Sequence, residues 1–147
     1  MIFHVYLRKG IVYVPIVAQT TAGFYGDQEP VMVVPASQSE PLRQALKNVI
    51  ARGNPKIPTP TRANMPAPVV LKHAGVKDWG SFARNALLWT MKATDNTYQI
   101  IGHQRSPGGS FKRDAAQIVT MPPGSKVDDV IERMISILQE SAREQPL

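Results

Sequence analysis

Prolines constrain this chain more than any other residue type. Five of its thirteen prolines fall in the segment from Asn54 to Pro68. Proline fixes φ and lacks a backbone N–H, so this segment excludes both a helix and a central strand. Neither flanking stretch has the pattern of a complete domain. We therefore interpret the segment as a long connection within a single domain covering residues 1–147, and connections of this length are often functional.

The chain before the prolines begins with the pattern of a β-hairpin. Residues of two kinds alternate from Phe3 to Arg8, the pair Lys9-Gly10 predicts a tight turn, and Ile11–Val17 returns as a β-rich strand. Pro15 within that return indicates an edge position or a bulge. Residues 22–30 are turn-rich, and Val31–Val34 is predicted as a short strand.

Two apolar stripes at helical spacing predict two amphipathic helices. The first has Pro41 in its first turn, with Ser37 or Ser39 as its cap and Gly53 as its stop. Its stripe consists of Leu42, Ala45, Leu46, Val49 and Ile50. The second closes the chain after a cap at Ser125, with Asp128 three residues later. Its stripe consists of Val127, Val130, Ile131, Met134 and Leu138.

Three strands between these helices have the pattern of an antiparallel meander. They are predicted over residues 86–93, 98–104 and 111–121, with turns at Asp95-Asn96 and at 106–110. A helical turn over 76–84, capped by Asp78, precedes them. The predicted fold class is α+β: an antiparallel-rich sheet of about six strands with the two amphipathic helices packed on one face.

Basic residues are concentrated in the middle of the chain. The net charge is +6, and residues 41–77 contain seven basic residues without a single acidic or aromatic one. Such a block attracts polyanions, but it lacks the flat side chains on which single-stranded bases stack. It therefore argues against a sequence-specific RNA-binding protein. It fits a protein that binds nucleic-acid backbones through Arg43, Lys47, Arg52, Lys56 and Arg62, or one whose basic face meets another protein.

The sequence contains no motif for catalysis or metal binding. There are no cysteines, and His4, His73 and His103 have no metal-ligand spacing. His103 with nearby basic residues could suggest a nuclease, but Asp114 is its only near carboxylate. We therefore predict no enzyme activity, no catalytic residue, no metal and no cofactor. The start of the chain lacks the features of a signal peptide, and no apolar run is long enough for a membrane helix, which predicts a cytoplasmic protein.

The turn-rich segment offers the best candidates for binding a partner. Phe24 and Tyr25 are aromatic residues between glycines, and aromatics dominate interface hot spots. Asp27, Glu29 and Asp95 are acidic residues suited to pair with a basic partner surface. These five residues form the predicted partner-binding site, with the equally weighted alternative that Phe24 and Tyr25 merely anchor the loop to the core.

The order of features resembles a known family. A hairpin leads to a Gly/aromatic loop and the string Glu29-Pro30-Val31, followed by Gly75-Val76-Lys77-Asp78-Trp79-Gly80-Ser81-Phe82, a meander, a Pro-Pro-Gly turn and a closing helix. This layout resembles the immunity proteins of bacterial contact-dependent growth-inhibition systems.

The resemblance implies a cytoplasmic protein that binds a cognate toxin domain, often a nuclease, and blocks its active site or substrate surface. Immunity proteins of nucleases are often acidic, and the basic composition of this chain departs from that pattern. The alternative function remains non-sequence-specific binding of nucleic-acid backbones by the 41–77 region.

Overall fold

One mixed sheet carries the fold. The computed structural model describes residues 1–95, 97–105 and 110–145, and within them the sheet has seven strands. They are β1 (Ile2–Arg8), β2 (Ile11–Thr20), β3 (Tyr25–Pro35), β4 (Lys56–Ile57), β5 (Ala86–Thr94), β6 (Thr97–Arg105) and β7 (Phe111–Thr120). Six strands are antiparallel in the order β3-β2-β1-β5-β6-β7, and β4 pairs in parallel with β2. Four helices accompany them: α1 (Ser39–Arg52), α2 (Val70–Ala74), α3 (Trp79–Ala83) and α4 (Val127–Glu144).

The predicted hairpin of β1 and β2 is confirmed. Lys9 and Gly10 form its turn with φ values of 52° and 78°, the backbone that two-residue hairpin turns require. The register of β2 against β3 shifts between Pro15 and Ile16, so the predicted bulge is present. The alternative of an edge strand is wrong, because β2 lies between β3 and β1.

The two long helices pack on one face of the sheet, as predicted. Alternate residues of β1, β2 and β5 meet the apolar stripes of α1 and α4 in one cluster. Leu42, Leu46 and Val49 of α1 and Met134 and Leu138 of α4 are all fully buried. The predicted α+β class and the common face of both helices are therefore confirmed.

The short helices cover part of the opposite face of the sheet, a second layer that the sequence did not predict. Phe82 of α3 packs edge-on against Tyr6 and Tyr13 at centroid distances of 5.6 and 5.7 Å. Val70 and Leu71 of α2 belong to the same cluster. Trp79 and Phe82 belong to this cluster, whereas Trp89 packs on the α1/α4 side of the sheet.

The caps predicted for the two long helices are each displaced by one residue. The residue before α1 is Gln38, whose side chain makes no capping bond, and α1 starts at Ser39. The residue before α4 is Lys126, whose N–H donates to Oδ2 of Asp129 at 2.7 Å. Asp129 therefore has the capping role expected of Asp128. The predicted cap of α3 is correct, since the Ser81 N–H donates to Oδ1 of Asp78 at 2.8 Å.

The turn-rich segment 22–30 is mostly strand in the structure. β3 begins at Tyr25, and its first residues pair with the end of β2 in the register Gln19↔Tyr25 and Val17↔Asp27. Cross-strand pairing outweighs the low strand propensity of Gly26 and Asp27. The turn predicted at 106–110 lies outside the described residues apart from Ser110, as does Asn96 of the other predicted turn.

The proline-rich segment runs along the end of β2. The Gln19 N–H donates to the Pro55 carbonyl at 2.9 Å, and the Thr21 N–H donates to the Ile57 carbonyl at 3.0 Å. The side-chain amide of Asn54 donates to the carbonyls of Ile2 and Val17. These bonds hold residues 54–59 beside the turn that carries Phe24. In the part of the chain that the structure describes, no helix is both long and apolar enough to cross a membrane.

Candidate functional site

A groove opens where the proline-rich segment faces the start of β3. Its volume is about 550 Å³. Its walls come from β1, the β2–β3 turn, the 57–68 segment and α3. They consist of Tyr6, Thr20, Phe24, Tyr25, Gly26, Asp27, Gln28, Ile57, Thr59, Pro60, Met65, Pro66, Ala67, Pro68 and Trp79.

Exposed apolar side chains gather on this groove. Six large apolar residues are exposed among those that the structure describes, and three of them line it: Phe24 at 70%, Met65 at 65% and Tyr25 at 40% exposure. Contiguous exposed apolar surface is uncommon on a monomer and marks binding sites. Phe24 does not pin its turn to the core, so the alternative that it is an anchor is wrong.

Asp27 forms the floor of the groove through a hydrogen-bonded trio. Its Oδ2 accepts from the Tyr6 hydroxyl at 2.6 Å, and its Oδ1 lies 2.6 Å from Nδ1 of His4. These bonds cross over β2, which separates β3 from β1 in the sheet. Burial, followed by the nearby charge of Asp27, raises the pKa of Tyr6 well above its usual value. Sequence reasoning missed His4 and Tyr6, although their alternation with Phe3 and Val5 places them together on one face.

A second polar pair lies on the same sheet face. His4 pairs in register with Thr90 of β5, and the Thr90 hydroxyl lies 2.8 Å from Nε2 of His103. Nδ1 of His103 is buried with no hydrogen-bond partner among the described residues. Burial, followed by the charges of His4 and Arg113, lowers the pKa of His103.

The nuclease hypothesis considered from the sequence rests on Asp114, the nearest carboxylate in sequence to His103. Asp114 accepts hydrogen bonds from the Ala116 N–H and from Nε2 of Gln117. In the described ranges, no group of three or more metal-binding side chains comes together. In the part of the chain that the structure describes, His103 contacts Thr90 and forms no ion pair with a carboxylate, so the structure adds no support for a nuclease.

Glu29 lies outside the groove and ties β3 to α2. Its Oε1 is 3.0 Å from Nζ of Lys72 and 2.9 Å from Nε2 of His73. Hydrogen bonds from His73 and Lys72 lower the pKa of Glu29. Its carboxylate is thus already paired within the protein.

Asp95 lies at the same end of the sheet as Phe24 but not beside it. It occupies the turn between β5 and β6, while Phe24 precedes β3. Three strand spacings separate the two turns, about 14 Å. Of the five predicted partner-binding residues, the groove thus brings together Phe24, Tyr25 and Asp27, and it leaves out Glu29 and Asp95.

The basic block is partly neutralised inside the fold. Arg43 bonds Glu132 of α4 through Nε at 2.7 Å and Nη2 at 2.8 Å, and Nζ of Lys47 lies 3.9 Å from Asp128. Lys72 pairs with Glu29. The remaining members of the block have no ion pair within the described residues: Arg52, Lys56, Arg62 and Lys77.

The string that carries the family resemblance forms the α2–α3 corner. Gly75 ends α2 with φ at 69°, in the left-handed region that glycine adopts readily. Asp78 caps α3, and Phe82 is fully buried. Trp79 is half-buried and lines the groove. Three of these residues thus shape the corner, and the fourth contributes to the candidate site.

Comparison with known proteins yields a fold relationship. No family model matches the chain, and no curated protein sequence matches it. A solved structure from Neisseria meningitidis, described as a protein of unknown function, is similar with a TM-score of 0.67 over 95% of this chain and 93% of that one. The two chains are 8% identical. The relationship therefore shows that this arrangement of helices and strands also occurs in a protein of Neisseria meningitidis, and it shows the fold alone.

Proposed function

We propose that this protein is a cytoplasmic immunity protein that binds a cognate toxin domain and blocks its active site or substrate surface. The observation that carries the proposal is the groove at the end of β2, where three exposed apolar side chains converge. A hydrogen-bonded frame holds this groove: the proline-rich segment is bonded to β2 and Asp27 to β1. A preformed surface of this kind binds without a large ordering cost.

Neutralising a toxin requires binding and no chemistry. A stable interface of ordinary size buries about 800 Å² on each partner. A surface of that size centred on the groove would extend to the turn at Asp95 and to exposed Lys56 and Arg62. Phe24 and Met65 would act as the apolar anchors, with the charged residues at the rim.

The alternative function, binding of nucleic-acid backbones, has weaker support. Two of the five basic residues assigned to it, Arg43 and Lys47, face carboxylates of α4. An ion pair within the protein reduces the positive potential that a phosphate backbone would meet. Arg52, Lys56 and Arg62 remain for such a function.

Growth rescue tests the proposal directly. The test applies to any large secreted protein found to be encoded beside this gene: its C-terminal domain would be expressed from an inducible promoter in Escherichia coli, with and without this protein. We expect the wild-type chain to restore growth. We expect Phe24→Ala, expressed at the same level, to require more protein for the same rescue, and Val33→Ala, an exposed apolar change on β3 away from the groove, to match wild type.

A nucleic-acid binding assay separates the two functions. Fluorescence anisotropy with a 20-base-pair DNA duplex and a 20-nucleotide RNA would be recorded at 50 and 200 mM NaCl. The immunity function predicts no appreciable binding at the higher salt. Failure to rescue growth, together with sequence-independent binding that weakens steeply with salt, would replace it with backbone binding.

A further inference from the structure

The groove has one formal charge, and it is negative. Of its fifteen lining residues, Asp27 is the one carboxylate, and no lysine, arginine or histidine lines it among the described residues. Lys56 and Arg62, the basic residues of the proline-rich segment, are exposed and lie outside the lining. A chain with a net charge of +6 thus contains a pocket whose lining has one charged side chain, a carboxylate that His4 contacts from outside the lining.

The walls around this carboxylate are aromatic. Tyr6, Phe24, Tyr25 and Trp79 all line the groove. Trp79 is held by stacking on Phe82 at a centroid distance of 5.5 Å and by an edge contact with Tyr6 at 6.1 Å. A fixed aromatic face attracts a cation through its ring quadrupole, most strongly when the face belongs to tryptophan.

Asp27 retains the capacity to accept further hydrogen bonds. Each oxygen of its carboxylate has one partner, the Tyr6 hydroxyl or Nδ1 of His4. A carboxylate offers about four lone-pair sites, so about two remain. The Asp27 side chain is 16% exposed, so a ligand in the groove can reach it. Its hydrogen bonds to Tyr6 and His4 fix its orientation.

We propose that the groove is a receptor for an arginine side chain presented by the protein partner. Arginine combines an aliphatic stem, which suits the apolar walls, with a planar guanidinium, which stacks on aromatic rings and bonds carboxylates. Its head is more weakly hydrated than the ammonium of lysine, so it enters a half-buried site at lower cost. The inference rests on the proposed function and names the chemistry of the partner at this site.

The net positive charge of the chain does not oppose this assignment. Surface charges in solution are screened over about 8 Å at physiological salt. A guanidinium in the groove would contact Asp27 directly, at a distance where screening is weak. The unpaired basic residues outside the groove act at longer range.

A titration with amino-acid amides tests the inference without any toxin. N-acetyl-arginine amide would be added to ¹⁵N-labelled protein and compared with N-acetyl-citrulline amide, its uncharged isostere. The chain has two tryptophans, so the indole N–H of Trp79 reports on the groove and that of Trp89, in the opposite core, serves as an internal control. We expect saturable shifts of Trp79 and of residues 24–28, with arginine bound about fivefold to tenfold more tightly than citrulline.

Two variants test whether Asp27 is the carboxylate that gives the groove its preference for arginine over citrulline. Asp27→Asn should remove the preference for arginine over citrulline. Glu29→Gln makes the same change two residues away on β3, outside the groove, and should leave the preference intact. Phe24→Ala, at an exposed position, should weaken arginine binding even if Asp27→Asn does not fold.

The outcomes separate the inference from the proposed function. Equal shifts with citrulline would mean that the groove selects apolar bulk, and tighter binding of N-acetyl-lysine amide would mean that it selects an ammonium; either result overturns the assignment to arginine. An absence of shifts at 50 mM amide would also overturn it, even if growth rescue succeeds. If rescue fails while arginine binds, the site stands and the toxin function falls.

Discussion

The hydroxyl of Tyr6 donates a hydrogen bond of 2.6 Å to Oδ2 of Asp27, which joins the floor of the groove to the core beneath it. Tyr6 is buried and also packs edge-on against Phe82. The pair explains how a carboxylate on a strand near the surface keeps one orientation. It also means that a change at Asp27 affects both the groove and the packing of the sheet.

The raised pKa of Tyr6 predicts a loss of stability at alkaline pH. Burial and the charge of Asp27 raise the pKa of Tyr6 in the folded state. The stability that Tyr6 contributes is therefore fully present below the pKa of tyrosine in the unfolded chain, about 10. Above that pH, the unfolded chain releases a proton that folded Tyr6 retains, so the free energy of unfolding falls as pH rises. Tyr6→Phe should flatten this fall between about pH 9.5 and 11, measured by urea denaturation. Tyr25→Phe, at an exposed position, is the matched control, and an equal flattening in both would contradict the prediction.

The bridge between Arg43 and Glu132 predicts a small, salt-sensitive contribution to stability. Arg43 contacts both Glu40 and Glu132 and so links α1 to α4. Both carboxylates are well exposed, so screening limits the effect. Arg43→Gln should lower Tm by about 1–2 °C at low salt and by less in 0.5 M NaCl. Arg133→Gln, at an exposed position on the same helix as Glu132, should leave Tm unchanged at both salt concentrations.

Local signals in the sequence predicted the parts of the fold that depend on neighbouring residues. The Lys9-Gly10 turn follows from the backbone freedom of one dipeptide, and the buried face of α4 follows from spacing along one helix. Asp78 was recognised as a cap because the residues that it caps come immediately after it. Both long helices share one sheet face because each has one continuous apolar stripe.

The groove could not be predicted because its parts meet through long-range pairing. Asn54 reaches Ile2 and Val17, and Asp27 reaches across β2 to His4. No periodicity encodes these contacts. Phe24 and Tyr25 were identified from their residue type, but the segment that completes their site lies more than thirty residues further along the chain. The partner-binding role of these residues remains a prediction.

The apolar stripes of the two long helices predict a large loss of stability on truncation. Leu46 of α1 is fully buried and Ile131 of α4 is 1% exposed, within one cluster. Leu46→Ala and Ile131→Ala should each lower the free energy of unfolding by about 2–5 kcal/mol, through lost burial and the cavity left behind. Urea denaturation gives these values directly. Ile118→Ala, at a site that is 41% exposed, should change the free energy of unfolding by about 0.5 kcal/mol or less. Similar losses at all three positions would show that the core is misassigned.

His103 predicts a loss of stability at mildly acidic pH. Burial, followed by the charges of His4 and Arg113, lowers its pKa in the folded state. The unfolded chain takes up a proton near pH 6.5, whereas folded His103 does so at lower pH. The stability contributed above about pH 6.5 is therefore lost as pH falls through the folded pKa of His103.

Glutamine does not titrate, so the His103→Gln variant should lose less stability than wild type between pH 7 and pH 5. An NMR titration of the His103 ring with a midpoint at or above 6.5 would contradict the prediction.

The exposed side chains of the groove predict where the energy of partner binding is concentrated. Phe24 and Met65 line the groove from two different segments, the β2–β3 turn and the proline-rich segment. With the toxin domain used in the rescue experiment as the partner, Phe24→Ala and Met65→Ala should each weaken binding by about tenfold or more, or about 1.4 kcal/mol. Calorimetry gives the dissociation constants, and because both side chains are exposed in the free protein, their loss should leave Tm nearly unchanged.

Val33 is an equally apolar, exposed control on β3, roughly 25 Å along the strand from Tyr25. If Val33→Ala weakens binding as much as Phe24→Ala, the interface does not centre on the groove. If Arg52→Glu with Lys56→Glu abolishes binding while both groove variants bind as wild type, the interface lies on the basic residues of the 41–77 block.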